Sequence, residues 1–553
     1  MKFDRVFHHV VIFGSMCIIM GWSIVSWKIL NLLDLIFVPT HSLSFAQPFL
    51  QSAVLFLNNS VGPASISVLF FASILLLAGY MGYSIASTVS VTMSGKRNPM
   101  LEWLSIAFFM TNPFLYERLI TQPTVALGII LLGWWIYSLL RPFIWWEHAW
   151  ESRFSHIIIA CIFFGAAWNF FAHASYMIVM LLLVYGSLFI RTRKEMFSLM
   201  LWVMSILVLN GNWLFVTFFS STGTMLENIQ AFSPENYTVF MTRWIEPLSV
   251  TLTNILLYGF WGEGHHFYRP WVMSPYWYIW WGVLMGLTGI GLLLHKKHTL
   301  TFSHRSRILI FLCIVGFAAL VFGLGIATQW TKDINLFLYE YLPLFRGYRE
   351  PQKWIWLLMI AEWWIFVLWM SYLILMVRAY FWRWILFWLT LLALFLWSPG
   401  MIFGFRGQLT TMAYPESFYA LKRTLLWDMT VKKILILPWH SYIGCDWTEG
   451  RVIANPLPQF FLPLKTVSAD NIEMRGLYTN SVNPESRVIE QFLRSEGKDQ
   501  ASFRALHFSH ILIARNCATR DEFPWMKYAL PHCSIDQSEK EYTLLSCEHP
   551  MLP

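Results

Sequence analysis

The 553-residue chain is 57% hydrophobic and only 13% charged, with 31 Trp, too apolar for a soluble globular protein whose surface must be polar. Its formal net charge of +8 does not mark a nucleic-acid binder, because Lys and Arg stand mostly singly between apolar runs, where they set topology. The composition describes a polytopic α-helical membrane protein.

The opening "MKFDRVFHHVVIFGSMCIIMGWSIV" is basic and then apolar, with no small-residue cleavage site, and reads as an uncleaved signal anchor. At about 20 residues per crossing, eleven spans are expected near 8–27, 63–89, 99–113, 123–140, 155–171, 173–190, 197–219, 273–294, 307–329, 353–377 and 382–400. Those at 99–113 and 155–171 are short. With the N-terminus cytoplasmic, Lys96, Arg97, Arg191, Arg193, Lys194, Lys296, Lys297, Arg305 and Arg307 fall in inner turns, as the positive-inside rule requires. The outer loops are then 28–62, 220–272 and 330–352 of a membrane domain covering 1–400. Residues 401–553 lie outside as a small extracytoplasmic C-terminal domain, α/β or α+β. Its strands are expected in "KKILILP", "HILIAR" and "YTLLSC", and a helix in "SRVIEQFLRSE". Cys445, Cys517, Cys533 and Cys547 lie in this tail and can form one or two disulfides in an oxidising compartment. The multi-pass chain belongs in the plasma (inner) membrane.

Acidic residues are scarce, so each one outside draws notice. Asp34, in "WKILNLLDLIFVPTHS", sits just past the first span. It can anchor an interfacial helix or act as a general base on a hydroxyl at the lipid surface. Glu117 and Arg118, in "TNPFLYERLITQPT", are bracketed by Pro113 and Pro123 and therefore held on a short ordered element. In "FRGYREPQKW", Pro351 suits the first turn of a helix, so the tenth span should begin close to Glu350. If the preceding turn is helical, Arg346, Arg349 and Lys353 share one face at its N-terminal end. There the dipole and backbone N–H groups also favour an anion. Arg pairs bidentately with phosphate and Lys adds a point charge, which points to a lipid-linked phosphate; the plainer role is an interfacial anchor neutralised by Glu350.

Glu362 lies nine residues on, about 13 Å deeper at the helical rise. An ionisable group at that depth serves either substrate or a buried hydrogen bond. "WGEGHHFYRPW" supplies Glu263, His265, His266 and Arg269 among aromatics suited to stacking on a sugar, without the spacing of a metal site. Asn169, His173, Asn210 and Asn212 read as helix-packing groups. There is no P-loop, dinucleotide fingerprint or nucleophile elbow.

These features, in this order, resemble the GT-C superfamily of integral-membrane glycosyltransferases, with "NPFLYERLITQ", "LFRGYREPQKW" and "YPESFYALKR" through "ILPWHSY" similar to uncharacterised bacterial members and more distantly to arabinofuranosyltransferases. The resemblance covers the chain in layout and is specific only in those segments. It implies a polyprenyl-phosphate sugar as donor and an envelope glycan, lipid or protein as acceptor on the outer face. Asp34 would be the base for inverting transfer, Glu117 the second outer acid, and Arg349 with Arg346 or Lys353 the site for the donor phosphate. Many members carry paired acids in the first loop; here Asp34 stands alone, which argues against a bound Mg or Mn ion, and monophosphate donors generally need none. Two other functions fit the architecture: a transporter or flippase of lipid-linked glycans, which would need a polar path that the spans scarcely offer, and a non-catalytic envelope assembly protein.

Overall fold

A computed structural model of the protein describes residues 2–21, 28–30, 61–144, 174–193, 196–197, 199–200, 203–204, 237–262, 278–295, 303–342, 345–471, 473–474, 477–479, 481, 483–517 and 533–547. Helices dominate: α1 (Lys2–Met20), α2 (Pro63–Ser94), α3 (Pro99–Thr111), α4 (Pro113–Thr121), α5 (Pro123–Ile144), α6 (Ala174–Phe189), α7 (Tyr278–His295), α8 (Ser303–Leu324), α9 (Gln329–Tyr341), α10 (Ile355–Met376) and α11 (Tyr380–Trp397). Among the described residues, five stretches are long and apolar enough to cross a membrane: Pro63–Ser94, Pro123–Arg141, Ser306–Leu324, Pro351–Met376 and Tyr380–Trp397. The expected span at 155–171 and most of that at 197–219 lie outside the described residues, as do Asn169, His173, Asn210 and Asn212.

Proline and asparagine punctuate the helices. Pro63, Pro99 and Pro113 occupy first turns, where a missing N–H costs nothing. The Asn98 side chain caps α3 by accepting from Met100 and Leu101, and Asn112 caps α4 by accepting from Leu115. The expected span at 99–113 therefore becomes a 13-residue helix. At 1.5 Å per residue it rises about 20 Å, short of the roughly 30 Å of a hydrocarbon core.

The bundle is held by close backbone approach and stacked rings. A Cβ on Gly82 of α2 would lie 2.4 Å from the Ser105 carbonyl oxygen of α3, so glycine is what lets these two helices touch. Phe108 of α3 stacks on Trp363 of α10 at 4.0 Å, and the Trp363 indole donates to Ser105 Oγ at 2.5 Å. At one end of the bundle His8 of α1 pairs with Glu102 of α3, Nε2 to Oε2, at 2.7 Å.

The chain segments from which the site is built collect at the other end. Strand β1 (Ile29–Leu30) pairs antiparallel with β2 (Thr411–Met412), and Leu30 N donates to Ser67 Oγ of α2. Gln408 Nε2 donates to the Tyr116 hydroxyl of α4 at 2.6 Å, Tyr258 Oη to the Trp397 carbonyl at 3.0 Å, and Tyr237 Oη to the Tyr348 carbonyl at 3.0 Å.

Beyond α11 the periodicity changes to that of a mixed sheet, as the sequence pattern foretells. Strands β3 (Ile434–Leu437), β4 (Thr466–Val467), β5 (His510–Ala514), β6 (Cys533–Ser538) and β7 (Tyr542–Cys547) assemble in the order β6-β7-β5-β3-β4. β3 runs parallel to β4 and β5, and β7 antiparallel to β5 and β6. On one face Leu435, Leu437 and Ile511 pack with Ile489 and Phe492 of α13 (Pro484–Arg494). Helix α12 (Glu416–Trp427) leads into the sheet and buries Phe418, Leu421 and Leu425. Two disulfides, Cys445–Cys517 and Cys533–Cys547, staple this region.

Candidate functional site: a buried ionic cluster at the mouth of α10

The stretch that leads into α10 is not one helix. It forms two short 3-10 turns, Phe345–Tyr348 and Pro351–Trp354, with Arg349 and Glu350 non-helical between them. The shared helical face expected for Arg346, Arg349 and Lys353 does not form, because Glu350, at φ −98 and ψ 84, breaks the spacing. Pro351 stands at the first position of the second turn with Glu350 as its cap, where the sequence puts the start of the span.

The break turns Glu350 inward. Its Oε1 lies 3.1 Å from Lys353 Nζ, and its Oε2 lies 3.6 Å from Arg118 Nη1. The same Oε2 accepts from Gln122 Nε2 at 3.0 Å and Trp261 Nε1 at 3.1 Å. Arg118 also donates to Gln122 Oε1, and its guanidinium lies 4.0 Å from the Phe260 ring centroid. Arg118 is 0%, Lys353 3% and Glu350 5% exposed, so this is an ionic cluster inside the protein, where breaking a pair is costly. Burial alone would raise the Glu350 carboxyl, but the Lys353, Arg118 and Arg349 charges outweigh it and hold it below the usual carboxylate range.

Arg349 completes the charge field around Glu350 and lies 5.0 Å from the Phe240 ring. Arg346, half-buried, lies 5.9 Å from the Tyr339 ring. Gln352 fastens the turn to the 240 loop by donating to the Phe240 carbonyl at 2.9 Å and to Thr242 Oγ1 at 3.1 Å. Glu117, the helical neighbour of Arg118, is buried and raises the pKa of the Tyr258 phenol, whose burial is the larger cause. Glu362 lies apart on α10, beside Trp281 of α7. Asp34, Glu263, His265, His266 and Arg269 fall outside the described residues. Gln122, Trp261 and Phe260 were not singled out from sequence; of these only Gln122 carried a signal, one helical turn from Arg118. Among the described residues no three His, Cys, Asp or Glu side chains gather as metal ligands.

The fold is shared with a solved arabinofuranosyltransferase, the group that the sequence resembles at a distance. The arabinofuranosyltransferase AftD from Mycobacteria superposes with a TM-score of 0.62 at 12% identity, over 99% of this chain and 40% of that one. The chain thus spans about two fifths of the length of AftD. The oligosaccharyltransferase AglB from Archaeoglobus fulgidus matches more loosely, at TM-score 0.47 and 11% identity over 93% of this chain and 70% of that one. ArnT from Cupriavidus metallidurans does so at 0.38 and 12%, over 98% and 97%. No protein-family model and no curated protein sequence matches.

Proposed function

We propose that the protein is a membrane glycosyltransferase that moves a sugar from a polyprenyl-phosphate donor to a cell-envelope glycan, lipid or protein acceptor on the outer face of the plasma membrane. Eleven spans, the short one at 99–113 counted among them, a cytoplasmic N-terminus and an extracytoplasmic domain from 401 to 553 belong to this reading, and the two disulfides of the tail support an oxidising compartment for it. The observation that carries the reading is the convergence of Arg118, Arg349 and Lys353 around Glu350 at one end of a GT-C fold.

Asp34 takes the proton of an acceptor hydroxyl, the oxygen attacks the anomeric carbon with inversion, and the polyprenyl phosphate leaves. Arg349 and Arg346 meet the charge that gathers on that phosphate. Lys353, held by Glu350, adds its field from within. Glu117 orients the acceptor, and Glu263, His265, His266 and Arg269 line the sugar's path. Asp34 without a paired acid, and a monophosphate donor of the kind that generally does without a metal, favour transfer without Mg or Mn.

The test is sugar transfer by the purified protein with a panel of polyprenyl-phosphate sugars and envelope extract, products read by mass spectrometry. Transfer that Asp34→Asn abolishes while donor binding persists, and that Arg349→Ala weakens through donor binding, supports the reading. Donor binding with no transfer by wild type would favour a transporter or binding protein, and no donor binding would remove the phosphate site.

A further inference from the structure

Helix α9 presents three different faces. At about 100° per residue, Trp330, Ile334, Phe337 and Tyr341 fall on one narrow stripe, and they are 50%, 48%, 60% and 66% exposed. Thr331, Asn335 and Tyr339 form a second face that is almost wholly buried. Asp333 and Glu340 are exposed along a third edge. A helix wetted all round would not put two large aromatics, a tyrosine and an isoleucine on one open stripe.

The buried face fixes where this stripe lies. Asn335 Nδ2 donates to the Val321 carbonyl at 3.2 Å and to the Gly325 carbonyl at 3.1 Å, and Thr331 Oγ1 donates to Gly325 at 2.7 Å. Val321 is in the last turn of α8, which is long and apolar enough to cross a membrane within Ser306–Leu324. The side chains of α9 thus cap the carbonyls at the end of a span, which pins the helix to the depth where hydrocarbon gives way to headgroups. The flank of α8 is apolar and open as well, with Ile310, Ile314 and Phe317 exposed.

We propose that α9 is a membrane-surface helix, docked through Trp330, Ile334, Phe337 and Tyr341 into the acyl-headgroup boundary of the leaflet at this end of the bundle. Lipid on the stripe, protein on the Asn335 face and water along the Asp333 edge account for all three faces, as an interfacial helix requires. A second copy of the chain is a poorer occupant. At 150–250 Å² per aromatic side chain, these partly exposed residues offer roughly 400 Å², below the roughly 600 Å² per partner at the low end of stable interfaces. The docking does not depend on the proposed reaction. A consequence that does rest on it concerns Arg346, five residues after the end of α9 and over its Tyr339 ring: docking sets the height of the phosphate-binding turn against the headgroups.

The experiment is photo-crosslinking of the full chain in phosphatidylcholine nanodiscs, with p-benzoylphenylalanine in place of Phe337, Asp333 or Phe317, each exposed and tolerant of a larger ring. Phospholipid adducts are counted by mass spectrometry. Adducts from positions 337 and 317, at least tenfold above those from 333, are expected. Adducts from 317 with none from 337, or equal labelling at 333 and 337, would overturn the proposal, as would protein-to-protein adducts from 337. Nitroxide labels at 333 and 337 give a second reading, since a docked stripe favours oxygen over a water-soluble nickel relaxant at 337 and the reverse at 333. None of these readings involves sugar transfer, so failure of the docking and failure of the proposed reaction are separable.

Discussion

Replacing Glu350 with Gln keeps the shape of the side chain and removes its charge. In the native cluster the carboxylate lies 3.1 Å from Lys353 Nζ and 3.6 Å from Arg118 Nη1, about 5 kcal/mol of attraction for each pair at an effective dielectric of about 20. Desolvation offsets most of this, and removing one partner from a buried ionic cluster costs about 3–5 kcal/mol, because the remaining charges stay buried. The amide can still accept from Trp261, but its NH2 then faces the donors of Lys353. Glu350→Gln should therefore lose at least about 3 kcal/mol in SDS-driven unfolding from mixed micelles. The double variant Glu350→Gln with Lys353→Met should recover 1 kcal/mol or more relative to additivity, as neighbours in one network do. A single variant within about 0.5 kcal/mol of wild type, or additive single effects, would show that the cluster is not an energetic unit.

Other outcomes follow from particular contacts. The depressed Glu350 carboxyl contributes stability that is full above its ordinary value of 4.5 and is lost as pH falls from there through its lower folded value. Titrating wild type against Glu350→Gln from pH 7 downward should therefore show a constant stability gap that closes only below about pH 4.5; a gap that closes between pH 7 and 5 would contradict the assigned charge state. Gly82→Val drives a side chain into the Ser105 carbonyl and should cost at least the 1–3 kcal/mol typical of overpacking, read in the same SDS titration, whereas Gly286→Ala, with open space around it, should cost under about 1 kcal/mol. The Cys445–Cys517 and Cys533–Cys547 bridges close loops of 72 and 14 residues, worth about 4 and about 3 kcal/mol by chain entropy. Reduction should therefore make the tail protease-sensitive before the bundle, and equal sensitivity would refute a separately stapled tail.

What was legible in the sequence is what short-range pattern determines. Prolines at 99, 113 and 123 mark breaks that the chain obeys, and the short apolar runs in "KKILILP", "HILIAR" and "YTLLSC" become strands β3, β5 and β7. The layout resemblance reached a fold shared with AftD because it rested on the order of apolar runs and polar segments along the chain, which the fold follows. The face proposed for Arg346, Arg349 and Lys353 assumed unbroken helical spacing, and Glu350 breaks it. That Glu350 bonds Arg118, Gln122 and Trp261 was not readable, since Gln122 stands 228 residues and Trp261 89 residues away in the chain, and only the closed bundle brings them together. The exposed stripe of α9 was hidden for another reason: a 3.6-residue apolar period looks the same whether it meets protein or lipid, and only the burial of Thr331 and Asn335 tells them apart.

The pairing of Ile29–Leu30 with Thr411–Met412 bears on how the protein is born. Leu30 leaves the ribosome about 380 residues before its strand partner, which at 5–20 residues per second is a wait of roughly 20–80 s. During that interval helices must enter the membrane one after another while the segment just after α1 has no strand to zip against. The ribbon between the two closes only when α11 is in place, so a stretch that emerges well before most of the helices is paired only after them. An insertion factor or chaperone that shields residues 28–30 for that period would act on this late contact, and substitutions in Thr411 or Met412 should prolong dependence on it without altering any helix.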